Sequence, residues 1–145
     1  MNPLLTIPFD NTYARLPAEF YARLSPEKMP TPRLLKLNED LAKKLQLDVD
    51  ALLSEAGVEF LSGRVEADGS EPLAMVYAGH QFGHFVPQLG DGRALLLGEI
   101  LDGQSQRYDV QLKGSGRTPF SRRGDGRATL GSVLREYIVS EGMSA

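Results

Sequence analysis

Between Gln111 and Tyr137 the chain reads QLKGSGRTPFSRRGDGRATLGSVLREY, with one lysine, five arginines and five glycines in a single stretch. That mixture suits a ligand carrying several phosphates. Glycine lets backbone N–H groups approach oxygen atoms closely and takes up positive φ, and the cations offset the negative charge that the phosphates bring together. Read from residue types alone, other roles stand beside this one. Lys113 also fits a solvated lysine at a strand end, and Glu136 a surface residue of a helix. Arg117, Arg122, Arg123 and Arg127 also fit a solvated basic loop or a patch for an acidic partner. Gly114, Gly116, Gly124 and Gly126 also fit turns, with Asp125 in an Asp-Gly turn pair. His80 and His84 stand four residues apart, the spacing of a metal pair on a helix. Gly79 and Gly83 argue against a helix there and no third ligand is evident, so both histidines are read as structural and no metal ligand is assigned.

The elements that must position Lys113 and Glu136 are legible on either side of the glycine-rich stretch. Ala94–Leu101 is mostly apolar, Asp102-Gly103 is a turn signal, and Gln106–Lys113 alternates, with Tyr108, Val110 and Leu112 on one face. Lys113 shares the other face with Asp109 and Gln111. Leu130, Val133, Leu134, Tyr137 and Ile138 follow helical spacing and form a stripe expected to be buried. Thr129, Ser132, Glu136 and Ser140 fall on a different side of that helix. Packed beside the hairpin, it would point Glu136 at Lys113 across a cleft. Upstream, prolines at 3, 8, 17, 26, 30 and 32 break regular structure and predict an extended N-terminal arm over residues 1–33. Such arms rarely hold active sites. From Leu34 the leucines at 35, 37, 41, 45 and 47 predict a helix, with Asn38 a plausible cap. A short helix is predicted over about 50–56, stopped by Gly57. No internal repeat or low-complexity tract is present.

Composition bounds the rest. A chain of 145 residues with 41% apolar and 24% charged content can bury one core and reads as an ordinary globular domain. The net charge is −3, yet Arg107–Glu136 carries +4, which leaves −7 on the remainder. Concentrated positive charge on an acidic background favours a compact anionic ligand over a nucleic acid. Absence of cysteine excludes disulfides and thiolate chemistry within this stretch. Neither a long apolar run nor a basic-then-apolar leader is seen, so no membrane partner and a cytoplasmic location are expected.

A strand-end lysine, a glutamate on the next helix and a glycine-bearing hairpin before both resemble the N-lobe of protein kinases, although QLGDGRALLLGEI lacks a full GxGxxG run. The longer strings YAGHQFGHFVPQLGDGRALLLGE, QLKGSGRTPFSRRGDGRA and LREYIVSEGM closely resemble the selenoprotein O family of protein adenylyltransferases, from about Leu34 onward. The resemblance implies an α+β fold: a kinase-like N-lobe over 34–145, with a small antiparallel sheet, packed helices and the proline-rich arm. It implies ATP bound in an inverted pose and AMP transferred to Ser, Thr or Tyr hydroxyls of protein substrates, leaving pyrophosphate. Gly90, Gly92, Arg93, Lys113, Asp125 and Gly126 match the family's nucleotide-binding positions, and Glu136 matches the glutamate that pairs with the lysine. Magnesium, or manganese in its place, would be held by residues of a C-lobe beyond this chain, together with the catalytic aspartate. The chain is therefore expected to be an N-terminal fragment, inactive by itself. Phosphoryl transfer by an ordinary kinase and a non-catalytic nucleotide-sensing or scaffold module are the alternatives.

Overall fold

A computed structural model describes residues 5–144. The described residues form an α+β fold around a four-stranded antiparallel sheet in the order β1 (Tyr21–Arg23), β2 (Leu73–Met75), β5 (Ala94–Leu101), β6 (Arg107–Lys113), and a separate hairpin of β3 (Gly79–Gln81) and β4 (His84–Val86). The sheet is built around β5. Its apolar run is buried along most of its length, and Leu95, Leu96 and Ile100 are fully enclosed together with Leu73 of β2.

β5 and β6 pair antiparallel, with Ala94 opposite Lys113 and Leu101 opposite Arg107. Asp102 closes the turn: its N–H donates to Gln106 O, and its Oδ1 accepts from the N–H groups of Gln104 and Gln106. Along β6 the inner residues Tyr108, Val110 and Leu112 alternate with exposed Asp109, Gln111 and Lys113, the division read from sequence. A bulge between Leu96 and Gly98 adds a residue to β5 and re-aims its side chains. Leu96 faces one cluster, with Ala14 and Leu73, while Leu97 and Ile100 join Ile7 and Phe60 in another.

The N-terminal segment is more than an extended arm. It contains 3₁₀ turns at Tyr13–Arg15 and Ala18–Phe20, then strand β1, which pairs with β2. Phe9 bridges to Ile100, and Asn11 receives the Glu99 N–H on its Oδ1 at 3.0 Å. Glycine is required at position 98, since a Cβ there would lie 2.5 Å from both Asn11 Oδ1 and Phe9 Cδ1. Glu99 is buried, and its carboxylate accepts from Thr12 N, Thr12 Oγ1 and Tyr13 N at 2.5, 2.7 and 2.6 Å.

Helix α1 (Glu39–Lys44) begins later than predicted, because the Asn38 carboxamide oxygen accepts from the Leu41 N–H and caps it there, leaving Leu35 and Leu37 outside. Leu45 and Leu47 follow the helix and pack into the core beside Phe60. The predicted helix at 50–56 is two helices, α2 (Val49–Leu53) and α3 (Glu55–Leu61), divided at Ser54, whose Oγ caps α3 through the Gly57 N–H. Gly57 does not end a helix. It lies buried in the first turns of α3, where a Cβ would meet Leu52 O at 2.2 Å, so glycine permits the corner between α2 and α3.

Helix α4 (Leu130–Ser144) forms where the spacing predicts it, but its apolar stripe is not buried. Leu130, Val133, Leu134 and Ile138 stay 38–69% exposed, because no described element covers that side. None of the described helices is long and apolar enough to cross a membrane.

Candidate functional site

The glycine-rich stretch folds as a loop between β6 and α4 and turns back over residues 87–93, which form a loop between β4 and β5 and not the glycine-bearing hairpin expected from the sequence. Its path is set by backbone contacts that leave no room for side chains. Gly114 N–H donates to Arg93 O at 2.7 Å, and Thr118 Oγ1 and Ser121 Oγ donate to the carbonyls of Asp91 and Gly92 at 2.5 and 2.6 Å. These bonds lay Phe120 on the glycines. A Cβ at Gly90, where φ is +64°, would come 2.6 Å from Phe120 Cγ, and one at Gly92 would come 2.9 Å from Phe120 O. Gly126, at φ +71°, crosses Gly116 so closely that a Cβ would stand 1.8 Å from Gly116 O.

This crossing encloses a cleft of about 480 Å³. Gly90, Gly92, Arg93, Lys113, Asp125 and Gly126 all line it, so six of the seven residues singled out from sequence come together. The seventh, Glu136, does not line the cleft but meets Lys113 from α4, with its Oε2 3.4 Å from Lys113 Nζ. The pair links the outward face of β6 to the small-residue side of α4, the facing expected from the two patterns. Both side chains remain partly exposed, 41% and 47%, so the contact orients the lysine and adds little to stability.

Not every one of these positions is equally free. One Asp125 oxygen accepts the Arg127 N–H at 3.0 Å and forms a local turn, a structural use of the kind its Asp-Gly pairing suggests. Arg122 donates to Gln81 Oε1 of β3 at 2.8 Å and adopts φ +57°. Arg127 pairs with Glu27 at 3.0 Å.

Sequence reasoning missed several residues of the cleft. Asp91 is buried between Gly90 and Gly92; its Oδ2 accepts from Met75 N and its Oδ1 from Tyr77 Oη, each at 3.0 Å. Burial and then the hydrogen bond and charge of Asp91 push the Tyr77 phenol up to about 12, so it remains a neutral donor at ordinary pH. The Asp-Gly pair at 91–92 was the available signal. Phe120 and Tyr77 carried none.

His80 and His84 stand on β3 and β4, where His84 pairs with Gln81 and His80 lies edge-on to Phe85. Among the described residues no three His, Cys, Asp or Glu side chains gather as a metal set.

A strand lysine paired with a helix glutamate stands beside a cleft lined by the glycine loop 87–93 and a basic loop. The family model for protein adenylyltransferase SelO matches residues 3–145, and the chain belongs to that family. The match includes the proline-rich segment, upstream of where the motif strings begin. Similar curated proteins are named protein nucleotidyltransferase YdiU. One from Rhodopseudomonas palustris (strain BisB18) is 64% identical over 138 residues, 95% of this chain and 28% of the relative. One from Nitrobacter hamburgensis is 63% identical over 144 residues, 99% of this chain and 28% of the relative. One from Methylorubrum populi is 64% identical over 138 residues, with 95% and 28% coverage. The chain thus spans little more than a quarter of the length of these relatives.

Proposed function

We propose that this chain is the kinase-like N-lobe of a protein nucleotidyltransferase, and that its cleft binds ATP for transfer of AMP to Ser, Thr or Tyr hydroxyls of proteins. The observation that carries the reading is the Lys113–Glu136 pair, which sets Lys113 in a cleft also lined by Gly90, Gly92 and Arg93. Membership of the SelO family supports the reaction class.

The donor set suits a nucleotide triphosphate. Arg93, Lys113 and Arg127 bring cations to one cleft, whose volume is within the range usual for small-molecule sites. In AMP transfer a substrate hydroxyl oxygen bonds to the α-phosphorus while the bond from that phosphorus to the α–β bridging oxygen breaks. Pyrophosphate leaves with the electron pair of the broken bond. Lys113, kept in place by Glu136, offsets charge on the leaving group, and Arg93 contributes from the loop before β5. Fixed cations that stand where charge develops lower the barrier because they need little reorganisation. Magnesium ligands are not assigned to this chain: Asp91 is spent on Met75 and Tyr77, and one Asp125 oxygen on its own turn. The hydroxyl proton would pass to the C-lobe aspartate that the family resemblance implies.

The same lysine–glutamate pair would serve transfer of the γ-phosphoryl group, so the test separates the two. The longer parent protein is incubated with magnesium and ATP labelled at the α- or the γ-phosphate, and label on protein is counted. Label from the α position alone is the expected result. Label from the γ position alone makes the parent a kinase, and label from neither favours a nucleotide-sensing module. Lys113→Ala in the same parent is expected to lower transfer at least about 100-fold, the scale of a lost charge-stabilising donor.

A further inference from the structure

The basic loop is held from outside the cleft by the proline-rich segment. Pro26 is buried against Gly63, where a Cβ would come 2.6 Å from Pro26 Cβ. The next residue, Glu27, is thereby delivered to the loop. Its N–H donates to Ser115 O at 2.8 Å, its Oε1 accepts the Arg117 N–H at 3.1 Å, and its Oε2 accepts Arg127 Nη2 at 3.0 Å. Gly116, at φ +119°, makes room: a Cβ there would stand 2.4 Å from Glu27 Cγ. A single carboxylate therefore ties together the two limbs of the loop where they cross.

We propose that Glu27 is a positioning residue of the cleft, holding Arg127 and the 115–117 turn in the arrangement that receives an oligophosphate. The inference rests on reading the cleft as a nucleotide site. A guanidinium has five N–H donors in a rigid fork, so Arg127, with Nη2 on Glu27 and Nη1 on Met29 Sδ, keeps others for a ligand. An arginine restrained before the ligand arrives loses less side-chain freedom on binding. The pair is half exposed, so its effect falls on ligand affinity and loop order more than on global stability.

The test begins with the longer parent protein, free of ligand. Amide hydrogen exchange is followed by NMR in the wild type, Glu27→Gln and Glu27→Ala. In Glu27→Ala the Arg117 amide is expected to exchange about tenfold faster, with the β5 amides and Tm little changed, as for a local opening. ATP and adenosine are then titrated against the same proteins, Lys113→Ala and Arg127→Ala. Glu27→Gln retains an acceptor for Arg117 but turns an amide toward Arg127, and is expected to weaken ATP about 3–10-fold while leaving adenosine unchanged. Combined with Arg127→Ala it should add no further loss, because Glu27 acts through that arginine. Unchanged Arg117 exchange, additive losses, or tighter ATP binding in Glu27→Gln would each overturn the proposal. Failure of the nucleotide reading shows separately: ATP binding is then absent in the wild type or indifferent to Lys113→Ala, while the exchange data still decide whether Glu27 holds the loop.

Discussion

At the scale of single residues, the most consequential carboxylate outside the cleft is Glu99. Burial alone would raise its pKa, but hydrogen bonds from Tyr13 N–H and the Thr12 hydroxyl and N–H, with the Arg107 charge 3.6 Å away, together hold it below the ordinary glutamate value of 4.5. A carboxyl whose folded pKa is depressed stabilises the fold fully above its unfolded value and loses that contribution as pH falls through the folded value. Glu99→Gln is therefore expected to cost about 2 kcal/mol at pH 7, since it replaces charge-assisted hydrogen bonds in a buried place. The variant should also lose less stability than the wild type as pH drops below about 4.5, with both changes read from urea denaturation at each pH. Equal acid losses in the two proteins would assign the sensitivity to other carboxyls.

At the scale of elements, the β6–α4 loop behaves as one unit because its glycines are occupied by neighbouring backbone. Gly126→Ala would force a side chain into a left-handed conformation against Gly116 O, and is expected to destabilise the chain by about 1–3 kcal/mol. Thermal unfolding gives the size, and proteolysis within 114–127 shows whether the loop loosens first. The elements that place Lys113 and Glu136 were legible because their cues are local. Alternation puts Lys113 opposite Tyr108, Val110 and Leu112, an Asp-Gly turn sets the β5–β6 register, and a hydroxyl-rich side of α4 carries Glu136. The β1–β2 pairing was not legible, since three-residue strands about fifty residues apart carry no period to detect. Gly57 misled for a related reason: a glycine that ends a helix and one that lets two helices touch look alike in sequence. Within the cleft, Gly90 and Gly92 could be singled out as glycines, but Phe120, the residue that packs on them, and Glu27, which reaches the loop from 90 positions away, could not.

At the scale of the whole molecule, stability is concentrated around β5 and thins toward α4. Leu96→Ala in the core is expected to cost about 2–5 kcal/mol, whereas Ile138→Ser on α4, 69% exposed, should change stability by less than about 0.5 kcal/mol. Chemical denaturation of the two variants measures the contrast, and a large loss from Ile138→Ser would mean that the helix is packed in solution. The lock between the first segment and the centre of the sheet also bears on the order of events during synthesis. Asn11 cannot take the Glu99 N–H until the 88 positions that separate them have been made, roughly 4–18 s at a ribosomal rate of about 5–20 residues per second. Until then residues 9–12 have no β5 to join, and the neighbouring Pro8 with the polar side chains of Asp10, Asn11 and Thr12 keeps that stretch from offering a strand edge to other nascent chains.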